Sequence, residues 1–353
     1  MKKVTYALFA CLILAACNKD NIQPNEEVTP QQIVSSLSDN VNGAIYSELA
    51  TASSNLDVAI QNFVSNPTNE NLESCKVLWK AARASWEQSE GFLYGPVATE
   101  NIDPRIDSWP IDFNAINIEL AGSTDFAVEA NMDALDDALK GFHPIEFLLW
   151  GLNGQKVASD FTAREKEYLL GLSNNLKKLT VQLANQWDKT QTDAFVLHFT
   201  SPSVTNLYYQ NYKAIFEQMV NAMIDICGEV ADGKIGEPYL LQDPGLEESP
   251  YSSNSMVDFK NNIISVRNVY LGKYNADGKG IEDLVRKYNL TLDNEIKTKI
   301  NSAIGALETV TDPFGTAITS QQVQVQNAID AIDALKEVLE LQLLPFVQQK
   351  VTN

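Results

Sequence analysis

His143 and Glu146 stand three residues apart in the stretch Gly141-Phe142-His143-Pro144-Ile145-Glu146. On a helix that spacing puts imidazole and carboxylate on one face, where both can converge on one ion. Neutral imidazole with carboxylate oxygen suits iron, zinc or copper better than calcium. The same residues admit a plain structural role. Pro144 favours the first helical position, which would make His143 the N-cap and Glu146 a side chain reaching back to the cap's N–H. The chain has only two histidines, so the choice between these roles rests on what else converges here.

Arg83, Glu87, Glu90 and Tyr94 follow one another at steps of four, three and four, beside the apolar face of Trp79 and Trp86. They read as a solvated face with an ordinary Arg83–Glu87 pair, or as carboxylate partners for His143 and Glu146. Helical bundles house metals in the second way, with Glu and His projecting inward from facing helices. Asp103-Pro104-Arg105-Ile106-Asp107 lies between the two stretches. Asp107 or Asp103 offers a further oxygen ligand and Arg105 a neutralising charge, although Asp103 is also explained by Asp-Pro turn chemistry. No HExxH or HxxEH, Gly-rich phosphate loop, nucleophile elbow or CxxC occurs. A catalytic zinc site keeps three protein ligands and an open position, which His143 and Glu146 alone do not supply. His198 lies among apolar residues and reads as structural.

These side chains must be positioned by helices. Thr29-Pro30-Gln31-Gln32 is an N-terminus signal, and Ile33, Leu37, Val41, Ile45, Leu49, Ala52, Leu56, Ile60 and Phe63 continue it as one helix to Asn66-Pro67. A second helix opens near Thr68 and runs to Gly95-Pro96. Residues 97–124 read as a connecting loop whose Ile102, Ile106, Trp109, Ile111, Phe113 and Ile116 pack against the body. Helices follow over about 125–140 and from the Thr162–Glu165 capping box. A second set runs from Ser201-Pro202 to Gly233, over 254–271, near 280–289 and 293–308, and over 319–346, with a connection at 233–253. The expected fold is all-α, two four-helix-like bundle domains at 31–195 and 196–353. A faint echo between Leu78-Trp79-Lys80 with Ser85 and Asp258-Phe259-Lys260 with Ser265 points to a duplication.

Lys2 and Lys3 precede an apolar run that ends in Leu14-Ala15-Ala16-Cys17. This is a secretory signal closing on a lipobox, so residues 1–17 are expected to leave Cys17 as the lipid-bearing residue. Ordinary cleavage and an uncleaved anchor are the alternatives. Residues 18–30 are polar and aperiodic, a flexible tether. The expected place is the cell envelope, at the outer membrane on its periplasmic or outer face, with the lipid as the membrane contact. No later apolar stretch reaches the roughly 20 residues of a spanning helix. A formal net charge of −20 repels nucleic acid and favours cations. Cys75 and Cys227 sit on apolar helical faces, as buried thiols or as a pair.

The stretch from Gly141 to Glu146 has the form GxHxxE, and here the chain resembles the imelysin family. Arg83-Ala84-Ser85-Trp86-Glu87 through Gly91-Phe92-Leu93-Tyr94-Gly95-Pro96 resembles that family's second helix. Glu248-Ser249-Pro250-Tyr251-Ser252 with Asn254-Ser255, Asp258-Phe259 and Asn261-Asn262 resembles its second-half signature. The resemblance implies a secreted or lipid-anchored protein of two helical bundles with the GxHxxE site near their interface. The family is classed among metallopeptidases, and its relatives include periplasmic iron-uptake lipoproteins in which the HxxE pair and acidic residues bind a metal cation. His143 and Glu146 carry over as ligands by motif, and Glu87, Glu90 and Asp107 by spacing from it. Arg83, Trp86, Tyr94 and Ser255 join as neighbouring candidates, with Arg105 or Arg267 as charge compensation. The cupredoxin-like extension of some iron-uptake relatives is absent.

The expected function is therefore an envelope lipoprotein that binds a metal cation, iron first and zinc or copper next, in metal uptake. An outer-membrane transport protein is its candidate partner. A metallopeptidase using the same site, and a peptide- or glycan-binding module without metal, are the rival readings. The lipid assignment is directly checkable: Cys17→Ala should abolish metabolic labelling by a fatty acid and move the protein from the membrane to the soluble fraction. Label retained on the variant would refute it.

Overall fold

Capping chemistry sets where the long helices begin. The computed structural model describes residues 28–352; Cys17 and the tether up to residue 27 lie outside the described residues. The Thr29 side chain accepts from the Gln32 N–H, and the Gln32 side chain accepts from Thr29 N–H, opening α1 (Pro30–Leu37). The chain continues into α2 (Gly43–Ser65) through a π-turn at Ser38–Asn42, where the sequence reads as unbroken. The apolar stripe explains the turn. Ile33, Leu37, Val41, Ile45 and Leu49 advance by fours, which in a helix of 3.6 residues per turn drifts by about 40° per step. A wider π-turn takes up that drift, and all five side chains are fully buried.

Thr68 caps α3 (Asn69–Glu87) by accepting from the Asn71 N–H. This helix stops at Glu87, short of Gly95-Pro96. Ser89 turns its N–H and its hydroxyl back onto the Trp86 carbonyl, at 2.7 and 2.6 Å, a local bond that competes with helix continuation. Residues 97–124 are short helices where a loop was expected, including α4 (Ile102–Asp107) and Phe113–Ala121. Their Ile102, Ile106, Ile111 and Ile116 are buried, so the expected packing role stands. The helix expected over 125–140 shrinks to Glu129–Ala134 and a 3-10 turn at Asp137–Leu139. Next come α5 (Phe142–Trp150) and α6 (Ala163–Gln186), the latter opened by the Thr162–Glu165 capping box.

α7 (Tyr212–Gly228) begins at the Asn211 cap and not at the expected Ser201-Pro202, and Leu207 between them is 83% exposed. Past Gly228 the backbone widens into a π-helical segment, Glu229–Gly236, and then a short helix, Glu237–Leu241, where a connection was expected. α8 (Ser255–Leu271), α9 (Leu290–Glu308) and α10 (Gln322–Val338) complete the long elements. The chain is all-α: among the described residues the β-structure is a single bridge, Lys273 to Asp277. None of their helices is long and apolar enough to cross a membrane. Cys75 and Cys227 are both buried and free.

α3 and α6 pack on α2, α5 lies against α3 and α6, and α7 to α10 pack among themselves. α3 meets α8 across the seam between these groups. They carry the two stretches that echo each other, which by itself does not establish a duplication. Their contact is polar. Gln88 Nε2 donates to Asn261 Oδ1 at 3.0 Å, and Asn262 Nδ2 donates to Glu87 Oε2 at 2.5 Å.

One close approach positions the site. α5 starts from Gly141 at φ +90°, and a Cβ there would stand 2.2 Å from the Ile106 carbonyl oxygen. The start of α5 thus abuts the end of α4, which sets Asp107 beside His143. Trp79 ties the same corner to α3 by donating its indole N–H to the Phe142 carbonyl at 3.0 Å. Gly141 is the cap, so His143 and Glu146 lie inside the helix and the capping role expected for them does not occur. Gly141→Ala should therefore cost about 3 kcal/mol or more, from left-handed strain plus overlap. Gly305 sits exposed in α9 with nothing within 4 Å of a Cβ, and Gly305→Ala should stabilise by about 0.5–1 kcal/mol. Urea unfolding measures both, and equal effects would refute the packing argument.

Candidate functional site

Arg83 of α3 is fully buried at the centre of the site. Its Nη2 lies 2.5 Å from Glu87 Oε1 and donates to Glu248 Oε1 at 2.8 Å. Its Nη1 donates to Asp107 Oδ1, and its Nε faces Asp258 Oδ2 at 3.7 Å without a hydrogen bond. Four carboxylates from α3, α4, α8 and the segment before α8 thus share one guanidinium. Trp86 Nε1 donates to the other Asp107 oxygen at 2.6 Å. Asp258 is further held by Ser249 Oγ at 2.6 Å and Asn254 Nδ2 at 2.7 Å.

His143 approaches the same Asp107 oxygen as Arg83 Nη1. Its Nδ1 is 3.4 Å from Glu146 Oε2, and its Nε2 is 3.2 Å from Asp107 Oδ1 without hydrogen-bond alignment. The Trp109 ring covers the imidazole at 5.1 Å between centroids. Glu146 Oε1 accepts from the backbone N–H and the hydroxyl of Ser252, at 2.8 and 2.6 Å. On the far side, Asn262 Nδ2 bridges Glu87 Oε2 and Glu90 Oε2, at 2.5 and 2.8 Å. Lys234, from the π-helical segment, reaches Glu90 Oε2 at 2.9 Å and Glu248 Oε1 at 3.0 Å. A cleft of about 450 Å³ opens onto this side, lined by Glu90, Asp103, Asp107, Glu229, Lys234 and Glu248 among others.

The charges do not balance. Glu87, Glu90, Asp107, Glu146, Glu248 and Asp258 have buried side chains, against the two permanent cations Arg83 and Lys234. Burial, with the neighbouring carboxylates, raises Glu87 and Glu90 well above the usual carboxylate range in spite of Arg83 and Lys234. Burial likewise carries Asp258 up to about 7 and Asp103 to about 6. Asp107 goes the other way: burial opposes its charge, but Arg83 and His143 hold it below the ordinary range. Burial and Arg83 disfavour the His143 imidazolium, yet its contacts with Asp107 and Glu146 outweigh both and raise it to about 9. Three buried atoms, His143 Nε2, Glu87 Oε1 and Glu248 Oε2, have no hydrogen-bond partner. Ligand atoms of Asp107, His143 and Glu248 lie within 4.8 Å of one another, as do those of Glu87, Glu90 and Asp107. The donors gathered here, several carboxylate oxygens with one imidazole nitrogen, are of the kind that transition-metal cations accept.

The sequence-derived residues divide accordingly. His143, Glu146, Glu87, Glu90, Asp107, Arg83 and Trp86 meet in one place. Glu90 does so from a 3-10 turn, Glu90–Phe92, beyond the end of α3. Tyr94 points away: its hydroxyl accepts from Asn42 Nδ2 at 3.2 Å and its ring stacks on Phe199. Arg105 pairs with Asp133 at 3.3 Å, and Arg267 lines a separate hollow with Lys273, Arg286 and Lys297. Neither compensates the site; Arg83 and Lys234 do. Ser255 donates to Glu247 Oε1 at 2.8 Å and accepts from the Ser249 N–H, shaping the segment that brings in Glu248. His198 is half-buried against the Tyr208 ring. Sequence reasoning passed over Glu248, Ser252, Asp258 and Asn262 as ligand or support, although they lie in the second-half signature, and nothing in the pattern marked Lys234.

The imelysin family profile matches residues 43–342. The chain belongs to the imelysin family. Iron-regulated protein A of Synechococcus elongatus is 29% identical over 342 residues, covering 95% of this chain and 90% of that protein. The crystal structure of an iron-regulated protein A precursor from Parabacteroides distasonis superimposes with a TM-score of 0.83 at 25% identity, over 93% of this chain and 97% of that one. An imelysin-like protein from Psychrobacter arcticum shares the fold, with a TM-score of 0.71 at 13% identity over 92% and 97% of the two chains.

The titrations have one sign between about pH 5 and 9. A carboxyl raised to about 7 (Asp258) keeps a proton that the unfolded chain has lost, so its contribution fades as pH rises through 7. A histidine raised to about 9 contributes fully below its ordinary value and loses that contribution as pH rises through 9. The depressed Asp107 acts only in more acidic solution. The thermal midpoint of metal-free protein should therefore fall from about pH 5 to about pH 9, and Asp258→Asn should flatten the lower part of that slope. A midpoint that rises over this window contradicts the assignment.

Proposed function

We propose that this imelysin is a cell-envelope lipoprotein, anchored through Cys17, that binds a metal cation at the Arg83-centred carboxylate cluster and serves metal uptake, with iron as its cargo. One observation carries the reading: buried ligand atoms of His143 and Glu248 without a hydrogen-bond partner coincide with a surplus of buried carboxylates. An uncompensated buried charge is costly; without metal the raised carboxyls of Glu87, Glu90 and Asp258 hold protons instead, which a bound cation would displace. The similarity to iron-regulated protein A supports iron among the cations that mixed oxygen and imidazole donors suit.

Asp107, His143 and Glu248 would hold the cation, with Glu87 and Glu90 supplying further carboxylate. Glu146 has a different part from the ligand role expected of it. One oxygen is committed to Ser252 and the other faces His143 Nδ1, so Glu146 orients the imidazole and presents Nε2 to the cluster. The geometry favours the metal-binding reading over hydrolysis: His143, Glu146 and Glu87 are fully buried, and the other histidine packs elsewhere.

Calorimetric titration of untagged protein with Fe²⁺ (oxygen excluded), Fe³⁺, Zn²⁺ and Cu²⁺ tests the reading. His143→Ala should abolish the tightest binding, and Glu146→Ala should weaken it by about 10–100-fold through loss of orientation. No binding by the wild type, or binding that both variants leave intact, would sink the proposal. A parallel digest of unfolded proteins with and without chelator should show no chelator-sensitive cleavage.

A further inference from the structure

Lys234 has no part in the reading above, yet it sits inside the carboxylate cluster. Its Nζ lies 2.9 Å from Glu90 Oε2, 3.0 Å from Glu248 Oε1, 3.6 Å from Glu229 Oε1 and 3.8 Å from Glu87 Oε2. Glu87 and Glu248, both more than nine-tenths buried, each still keep one oxygen without a hydrogen-bond partner. The ammonium thus occupies a position that a cation shared by these carboxylates would take. Its backbone is the π-helical segment Glu229–Gly236 on the wall of the cleft. The preceding Gly233 lines the same cleft, and no heavy atom stands within 4 Å of where its Cβ would be. A lysine head is a compact, strongly hydrated charge on a flexible four-carbon stem, able to leave such a cage for the cleft.

We propose that Lys234 is a tethered surrogate cation. It holds the Glu87, Glu90 and Glu248 carboxylates together when no metal is bound, and it withdraws into the cleft when a metal cation arrives. Two positive charges that close repel strongly in a poorly solvated site. Glu248, Glu87 and Glu90 face the ammonium and also belong to the donor set proposed for the cation, so the two compete for those carboxylates. The competition lowers affinity while keeping the metal-free cage intact, since removing every cation would leave buried carboxylates unpaired. This inference rests on the metal-binding reading.

Two measurements on the full mature protein test it, with Fe²⁺ under exclusion of oxygen as the probe. Lys234→Met, which keeps length and removes charge, should bind Fe²⁺ at least about tenfold more tightly, and Fe²⁺ should raise its thermal midpoint more than that of the wild type. Lys234→Arg should bind no more tightly than the wild type. In the wild type, acetylation of Lys234 by an amine reagent, read by mass spectrometry, should rise when Fe²⁺ is added. A folded Lys234→Met with unchanged or weaker affinity overturns the proposal. If Lys234→Met does not fold, acetylation of wild-type Lys234 that does not respond to Fe²⁺ overturns it. His143→Ala separates the two ideas. Binding lost in His143→Ala but unaltered in Lys234→Met rejects the surrogate alone, whereas no Fe²⁺ binding by any form, or binding that His143→Ala leaves intact, rejects the metal site itself.

Discussion

A buried guanidinium is the constraint on which the rest of this structure depends. Arg83 has five donors in a rigid plane and cannot shed its charge. That geometry lets it serve carboxylates arriving from different directions: Glu87 on its own helix, Asp107 at the end of α4, Glu248 before α8 and Asp258 within it. Each of those segments is therefore drawn to one point, and the seam between the two groups of helices closes around it. A lysine, a point charge with three donors, could not span the same set.

The seam is polar where a purely structural interface would be greasy. Asn262, Ser265 and Asp258 on α8 and Glu87 on α3 are all fully buried. Such a layer is justified energetically only when its members find partners, and most do, through Asn262, Ser249 and Asn254. The exceptions at the seam are single atoms of His143, Glu87, Glu248, Arg83 and Asn262. Irregular backbone sits beside them: the 3-10 turn of Glu90, the left-handed Gly141 and the π-helical segment of Lys234. Regular helices supply the scaffold, and the departures from regularity aim the side chains.

Much of this was readable in one dimension. Hydroxyl caps at Thr29, Thr68 and Thr162 and unbroken apolar stripes define helix starts and faces, because both signals are local. His143, Glu87 and Asp107 were reachable through motif and spacing, and they do converge. The failures have a common physical cause, which is that charge compensation is a matter of proximity in space. Arg105 is a neighbour of Asp107 in the chain but pairs with Asp133, while Lys234 is remote in the chain and lies against Glu90. Tyr94 followed the helical spacing of Glu87 and Glu90, and that spacing lost its meaning once Ser89 ended the helix. The π-turn at Ser38–Asn42 was present in the run of fours, yet a periodicity reading that accepts threes and fours alike does not see it.

For the metal-binding function proposed above, the acidic cleft would also decide in what form a metal reaches this site. Its walls carry Asp103, Glu229, Glu237 and Glu248 with Lys234 as the single base, on a chain whose net charge is −20. A cleft of one sign with low-dielectric walls concentrates its counter-ions and repels ions of its own sign. Bare or aqua cations are gathered at the mouth, while metal wrapped in a polyanionic chelator meets the same field as a barrier. If the site takes up metal as proposed, dechelation would belong upstream of the cleft, and the entrance itself would act as a filter for metal speciation.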